Sequence, residues 1–259
     1  MKIVVLVKHV ADSDAKWSYT DDLRVDRSGV EGHLSELDEY AVEQAVSLVE
    51  KGLPATITFL TMGPAPAVDA LRKALAMGGD DAVHVLDDAL AGSDALSTSL
   101  VLARAIERIG FDLVLCGMSS TDAEMSVIPA MIADRLGVPQ VTFANTVSVV
   151  DGTITVGRGG DASLDDVTAT LPAVASVTDK SGEPRYPAFK AIMVGRKKPV
   201  ATWTVGDLGL EPSQVGSAGA ASVVRSAVLN PPRPAGVVVV DDGEGAVRIA
   251  DFLTDRHLL

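Results

Sequence analysis

The stretch from Leu113 to Gly137, LVLCGMSSTDAEMSVIPAMIADRLG, decides how this chain is read. Its first five residues form an apolar run closing on Gly117, too short for a typical helix and without polar alternation, as in a strand buried on both faces. A polar loop with Ser119, Ser120, Thr121 and Asp122 follows. Helical spacing then begins around Ser126 to Pro129 and stops at Gly137. In open α/β sheets, ligands bind beyond the carboxyl ends of strands, and a helix start offers free N–H groups to a phosphate. The same pattern also fits an ordinary strand-to-helix connection capped by Asp or Ser.

Outward from this unit the alternation repeats. KIVVLVKHV (2–10) reads as a first buried strand, and SELDEYAVEQAVSLVEKG (35–52) as a helix, with Ser35 and Asp38 suited to its first turn and Gly52 to its end. ATITFLTMG (55–63) and DAVHVLDD (81–88) read as strands. Pro64 to Gly78 and Asp94 to Ile109 read as helices. Such alternation predicts an α/β fold: a doubly wound, mostly parallel, Rossmann-like sheet whose strand ends suit an anion or a nucleotide phosphate. Past Pro139 the pattern changes. VTFANTVSVVDGTITVGRG (141–159) flanks Asp151-Gly152, a hairpin signal, and 167–178 adds a strand, so an antiparallel edge extension is expected. Residues 206–222, rich in Gly, Ser and Ala, read as a linker between a domain over 1–205 and a C-terminal arm over 223–259 with one strand and one short helix, too few elements for a core of its own, so that the arm is expected to dock on its own domain or on a partner subunit.

Composition narrows the function. The 259 residues suffice for one large domain with an arm, and 35 acids against 22 bases give a net charge of −13, which argues against nucleic acid as a partner. Cys116 is the single cysteine, which excludes an internal disulfide and multi-cysteine metal sites and fits a reduced, cytoplasmic setting. No signal-peptide cleavage region and no apolar run of membrane-spanning length is found, so no membrane insertion is expected. The four histidines fall in no metal-binding pattern; His9, near the first strand's end, suits either a site lining or the surface. Cys116 suits a core position better than a nucleophile. There is no Gly-x-Ser-x-Gly elbow, no Walker loop and no Gly-x-Gly-x-x-Gly after the first strand, so bond-making catalysis is not expected. The segment SGEPRYPAFKAIMVGRKKP (181–199) stands out, setting Arg185, Lys190, Arg196, Lys197 and Lys198 against one acid, Glu183, with Tyr186, Phe189, Ile192 and Met193 among them. Taken alone it suits a basic surface segment or a contact surface.

MKIVVLVKHV, LDEYAVEQAV, TMGPAPAVDALRKALAMGGDDAVHV, DLVLCGMSSTDAEMSVIPAMIADRLGVPQ and LPAVASVTDKSGEPRYPAFKAIMVGRKKP, in this order, resemble the beta subunit of electron transfer flavoprotein over about residues 1–205. The resemblance implies a heterodimer in which an alpha subunit holds most contacts to a redox-active FAD and the beta subunit binds a structural AMP. It implies an AMP pocket of Leu6, Val7, Ser35, Asp38, Met62, Gly117, Ser119, Thr121, Asp122, Ala123, Ser126 and Val127. The animal form carries Asn-Gln-Thr where this chain has Ser126, Val127 and Ile128, which shifts the implied phosphate contacts onto the backbone. On the flavin side it implies Ser13, where some relatives carry an aromatic residue. The family's acidic signature before LPAV is thinner here, with Asp161, Asp165 and Asp166. Residues 183–198 match the family's recognition loop, with Phe189 as the apolar anchor and Lys190, Ile192 and Met193 beside it. The implied activity is electron carriage, as in fatty acid β-oxidation, from acyl-CoA dehydrogenases and similar flavoenzymes to a membrane quinone oxidoreductase. Two alternatives stay open: an electron-bifurcating member with a second FAD in the AMP pocket, and a stand-alone adenine-nucleotide sensor.

Overall fold

A computed structural model of the chain describes residues 1–12, 15, 18–27, 29–160, 163–228, 230–231, 235–236 and 238–259. The expectations placed on Ser13 and Asp161 lie outside these residues. Two compact units result, Met1–Val224 and Arg225–Leu259.

In chain order the first unit contains β1 (Lys2–Leu6), β2 (His9–Ala11), β3 (Gly32–Leu34), α1 (Glu36–Glu50), β4 (Thr56–Met62), α2 (Val68–Met77), β5 (Asp81–Val85), α3 (Ala95–Ile109), β6 (Leu113–Gly117), α4 (Ile128–Leu136), β7 (Gln140–Ala144), β8 (Thr146–Val150), β9 (Thr153–Gly159), β10 (Leu164–Thr170), β11 (Ala173–Val177), α5 (Phe189–Gly195), β12 (Val200–Trp203) and α6 (Gly216–Gly219). The main sheet has seven strands in the order β12-β5-β4-β1-β6-β11-β7, every neighbouring pair parallel. Helices cover both faces, as the buried apolar runs require. Ala41, Val42 and Ala45 of α1 and Leu71 and Ala74 of α2 pack with Ile3, Val5 and Phe59 on one side. Val101, Ala105 and Ile106 of α3 and Ile132 and Ala133 of α4 pack with Val4, Leu60 and Val114 on the other.

The antiparallel extension forms a separate three-stranded sheet, β10-β9-β8. The run over 167–178 divides at Pro172, which has no N–H for a ladder. Its first part becomes β10, paired antiparallel with β9, and its second part becomes β11, inserted parallel between β6 and β7 in the main sheet. Residues 206–222 differ from a linker. Leu208, Leu210 and Val215 are buried with Val205 in the core beneath α3, and Asp94 accepts hydrogen bonds from the Ala221 and Ser222 N–H groups (2.9 and 3.0 Å). Apolar residues spaced among the glycines and serines supply the burial that a free linker lacks. In the second unit, α7 (Gly245–Asp255) is the expected short helix. Among its described residues no strand forms, because an apolar run such as 238–240 needs a neighbour to pair with.

Candidate functional site

Strand β1 leads through α1 to β4 on one side, and β6 leads through α4 to β7 on the other. The connections therefore part between β1 and β6, the switch point at which open α/β sheets bind ligands. Asp38, in the first turn of α1, spans that gap. Its Oδ2 accepts from the Lys8 N–H (2.9 Å) just past β1, and its Oδ1 accepts from the Gly117 N–H (3.1 Å) at the end of β6. Gly117 is required by this approach, since a Cβ there would lie 2.7 Å from Asp38 Oδ1 and from the Leu37 carbonyl. Burial pushes the Asp38 carboxyl up to about 7, against the lowering effect of the two N–H donors and the Lys8 ammonium.

The loop after β6 is held from inside. Lys8 Nζ contacts Asp122 Oδ1 (2.6 Å) and donates to Ser120 Oγ (3.1 Å), while Arg27 Nη2 holds Asp122 Oδ2 (2.7 Å). The Asp122 side chain is fully buried. Burial pushes its carboxyl up, but the charge and hydrogen bond of Lys8 and the hydrogen bonds of Arg27 and Ser120 outweigh it, leaving the group below the usual carboxylate range. The loop then enters α4 through left-handed backbone at Glu124 (φ 49°) and Ser126 (φ 54°), followed by a right-handed Val127 (φ −101°, ψ −22°). Successive residues of opposite hand turn their N–H groups into one concavity suited to an anion. No side chain caps α4, so its first N–H groups have no side-chain acceptor.

The strand ends gather most of the expected AMP residues. Leu6 and Gly117 end the neighbouring strands β1 and β6, Val7 bonds onward to the Leu60 carbonyl (3.0 Å), and Met62 ends β4 on the other side of β1. Ser35 reaches the same place through its N–H to the Lys8 carbonyl (2.9 Å). Ser119, Thr121, Ala123, Ser126 and Val127 line the loop. Three hydroxyls here, Ser35 Oγ, Ser119 Oγ and Thr121 Oγ1, are buried without a hydrogen-bond partner. Ser35 does not cap α1 with its side chain, and Asp38 is occupied by backbone N–H groups; both depart from the helix-capping expectation. Asp122 is likewise consumed by Lys8 and Arg27. Lys8 and Arg27 are site residues that sequence reasoning misses, while Ser120 belongs to the polar loop it singles out. The placement of Lys8 directly after the first strand was the available signal, and Arg27 had none.

The remaining candidates lie elsewhere. His9 packs its ring over Gly32. Cys116 is buried, with its thiol pushed above its ordinary value by burial and then by Asp38, and it donates to the Ala175 carbonyl (3.4 Å), as a core residue does. Phe189, Lys190, Ile192 and Met193 sit on α5, which packs against α2. Phe189 and Lys190 are exposed, Met193 is 42% exposed and Ile192 is half-buried. Lys198 departs from its expectation as part of a free basic cluster. Its ammonium donates to the carbonyls of Leu75, Gly78 and Gly79 (3.1, 3.3 and 2.7 Å) at the end of α2. Among the described residues there is no metal-binding cluster, and no helix is long and apolar enough to cross a membrane.

A family model described as "Electron transfer flavoprotein domain" matches residues 22–208. The chain is 43% identical to "Electron transfer flavoprotein subunit beta" of Mycobacterium bovis over 99% of each chain. It is 42% identical to the protein of the same name from Mycobacterium leprae over 99% of each, and 32% identical to that of Megasphaera elsdenii over 95% of each.

Proposed function

The chain belongs to the electron transfer flavoprotein family, on the side of its beta subunits, and from that premise we propose that its crevice holds AMP in a structural role while a partner alpha subunit carries most of the contacts to a redox-active FAD. The observation that carries this reading is the group of three buried, unpartnered hydroxyls, Ser35, Ser119 and Thr121, beside the uncapped start of α4. Leaving buried polar atoms unpaired costs free energy, and a ligand offering several acceptors and donors relieves that cost. A nucleotide monophosphate matches the set. Its phosphate suits the N–H groups of Ser126, Val127 and the first turn of α4, its ribose and base edges suit the hydroxyls, and Leu6, Val7 and Met62 suit the apolar face of adenine.

Bound FAD supplies the redox chemistry, accepting and releasing electrons. This chain's residues hold the nucleotide, carry the scaffold and offer the exposed Phe189 and Met193 of α5 to electron-donating acyl-CoA dehydrogenases and similar flavoenzymes, from which electrons pass on to a quinone oxidoreductase. The test is to purify the chain with its co-expressed partner, release the ligands with acid and quantify them. One FAD and one AMP per heterodimer are expected. Two FAD and no AMP would overturn the structural-AMP reading in favour of a second flavin in the crevice, and nucleotide binding by a lone, stable chain would favour a sensor.

A further inference from the structure

The segment carrying α5 is bare above and tied down below. Tyr186 is 92% exposed and Phe189 79% exposed, with Met193 and Val194 about half exposed beside them. Among the described residues, a single seven-residue helix is the only regular structure between β11 and β12. No N–H of residues 182–188 donates to another backbone carbonyl among the described residues. A segment of this kind, with large apolar groups in water and little backbone bonding of its own, collapses or moves unless side chains fix it.

Arg185 does this on one side. Its Nε and Nη2 grip both oxygens of Glu43 (2.7 and 2.9 Å), and its Nη1 and Nη2 grip both oxygens of Glu50 (2.6 and 2.8 Å). Its own backbone N–H adds a further bond to Glu43 (3.1 Å). Glu43 and Glu50 lie seven residues apart on α1, two turns along one face, so the guanidinium is held by a surface that the buried side of α1 makes rigid. Only an arginine fork engages two carboxylates in this way. On the far side Arg72 Nη1 donates to the carbonyls of Gly195 and Lys198 (3.2 and 2.8 Å). Gly195 lies so close to α2 that a Cβ there would meet the Ala76 N at 2.8 Å.

We propose that Arg185, clamped by Glu43 and Glu50, is the positioning residue of the docking face: it fixes where α5 presents Phe189 and Met193 to the electron-donating flavoenzyme. This rests on the reading of α5 as the docking surface. Ordering the face before encounter removes an entropic cost from docking, so loss of the clamp raises the amount of carrier the donor needs while leaving the electron-transfer step itself intact.

The experiment uses the co-purified complex with one purified acyl-CoA dehydrogenase and its substrate, reading kcat and KM for the carrier together with deuterium uptake of residues 182–198. Arg185→Met is expected to raise KM on the order of tenfold with kcat nearly unchanged, to speed exchange in that segment and to keep flavin and nucleotide content. Arg185→Lys, with one point charge, is expected to fall between. Faster exchange with an unchanged KM, or a raised KM without faster exchange, overturns the positioning role. Glu50→Gln, which loosens one exposed arm of the clamp, carries the same test if Arg185→Met does not assemble. Phe189→Ala separates the two claims. An unchanged KM there refutes docking through α5 itself, whereas a raised KM with Arg185→Met silent refutes only the clamp.

Discussion

Replacing Asp38 with asparagine tests whether the carboxylate spanning the strand ends is held at a cost. Its pKa rises from 3.8 to about 7 on folding. Between those values the folded carboxyl keeps a proton that the unfolded chain has released. Stability from this group is therefore full below about pH 4, declines as pH rises towards 7 and is flat above. About three pKa units at 1.36 kcal/mol each amount to roughly 4 kcal/mol. The replacement amide does not titrate, but it accepts from only one of the two N–H donors of Lys8 and Gly117 and turns its NH2 towards the other, a pH-independent cost of about 1–3 kcal/mol. Urea unfolding of wild type and Asp38→Asn in parallel from pH 4.5 to 8.5 reads the difference, to which Asp122, held below its ordinary value and so ionised throughout this range, adds no slope. Wild type is expected to be the more stable at the acid end, with its advantage shrinking by several kcal/mol and vanishing or reversing near pH 8. Parallel curves would refute the argument, because they would mean that the two N–H donors and the Lys8 ammonium fully offset burial.

Gly117→Ala places a methyl 2.7 Å from the Leu37 carbonyl, which as backbone yields little. A loss of about 1–3 kcal/mol in thermal or urea unfolding is expected, with less nucleotide retained through purification; wild-type stability would show that the strand end and α1 are free to separate. Asp122→Asn leaves Lys8 and Arg27 without their shared counter-charge. Both cations are more than a third exposed, so solvent screening limits the loss at pH 7 to about 1 kcal/mol. Because the Asp122 carboxyl sits below its ordinary value, wild type's advantage is present above the unfolded value of 3.8 and fades as pH falls through the lower folded value. Acid titrations of the two proteins that stay a constant distance apart would contradict this.

The parallel core was legible because strands buried on both faces must be continuously apolar. KIVVL and LVLCG cannot be read otherwise, and glycines close the helices between them. What escaped depended on partners far along the chain. Val200–Trp203 is four residues without alternation and becomes β12 because β5 offers it an edge. Ala173–Val177 follows a hairpin and reads as its continuation, yet a slot between β6 and β7 takes it into the parallel sheet. Asp38 looks like a first-turn acid of a helix, and its partners are 30 and 79 residues away. Local pattern registers that a polar group stands near a helix start, not that two strand ends part beside it.

The crevice and the face proposed for docking meet on one element. Helix α1 carries Asp38 in its first turn and Glu43 and Glu50 further along, with Ala41, Val42 and Ala45 on its inner face fully buried against the sheet. At 1.5 Å per residue Glu43 lies about 7.5 Å and Glu50 about 18 Å from Asp38 along the axis, so only the Glu50 arm stands beyond the range at which substitutions ordinarily couple. The helix thus fixes both regions to the same sheet, with the Glu50 arm of the clamp clear of the crevice. Under the proposed function that placement matters, because a surface meeting successive partners should hold its shape when the proposed nucleotide pocket is disturbed. The exposed aromatic of α5 is a liability in water. Its retention is intelligible where two carboxylates, an arginine fork and a rigid helix keep it from collapsing back onto its own core.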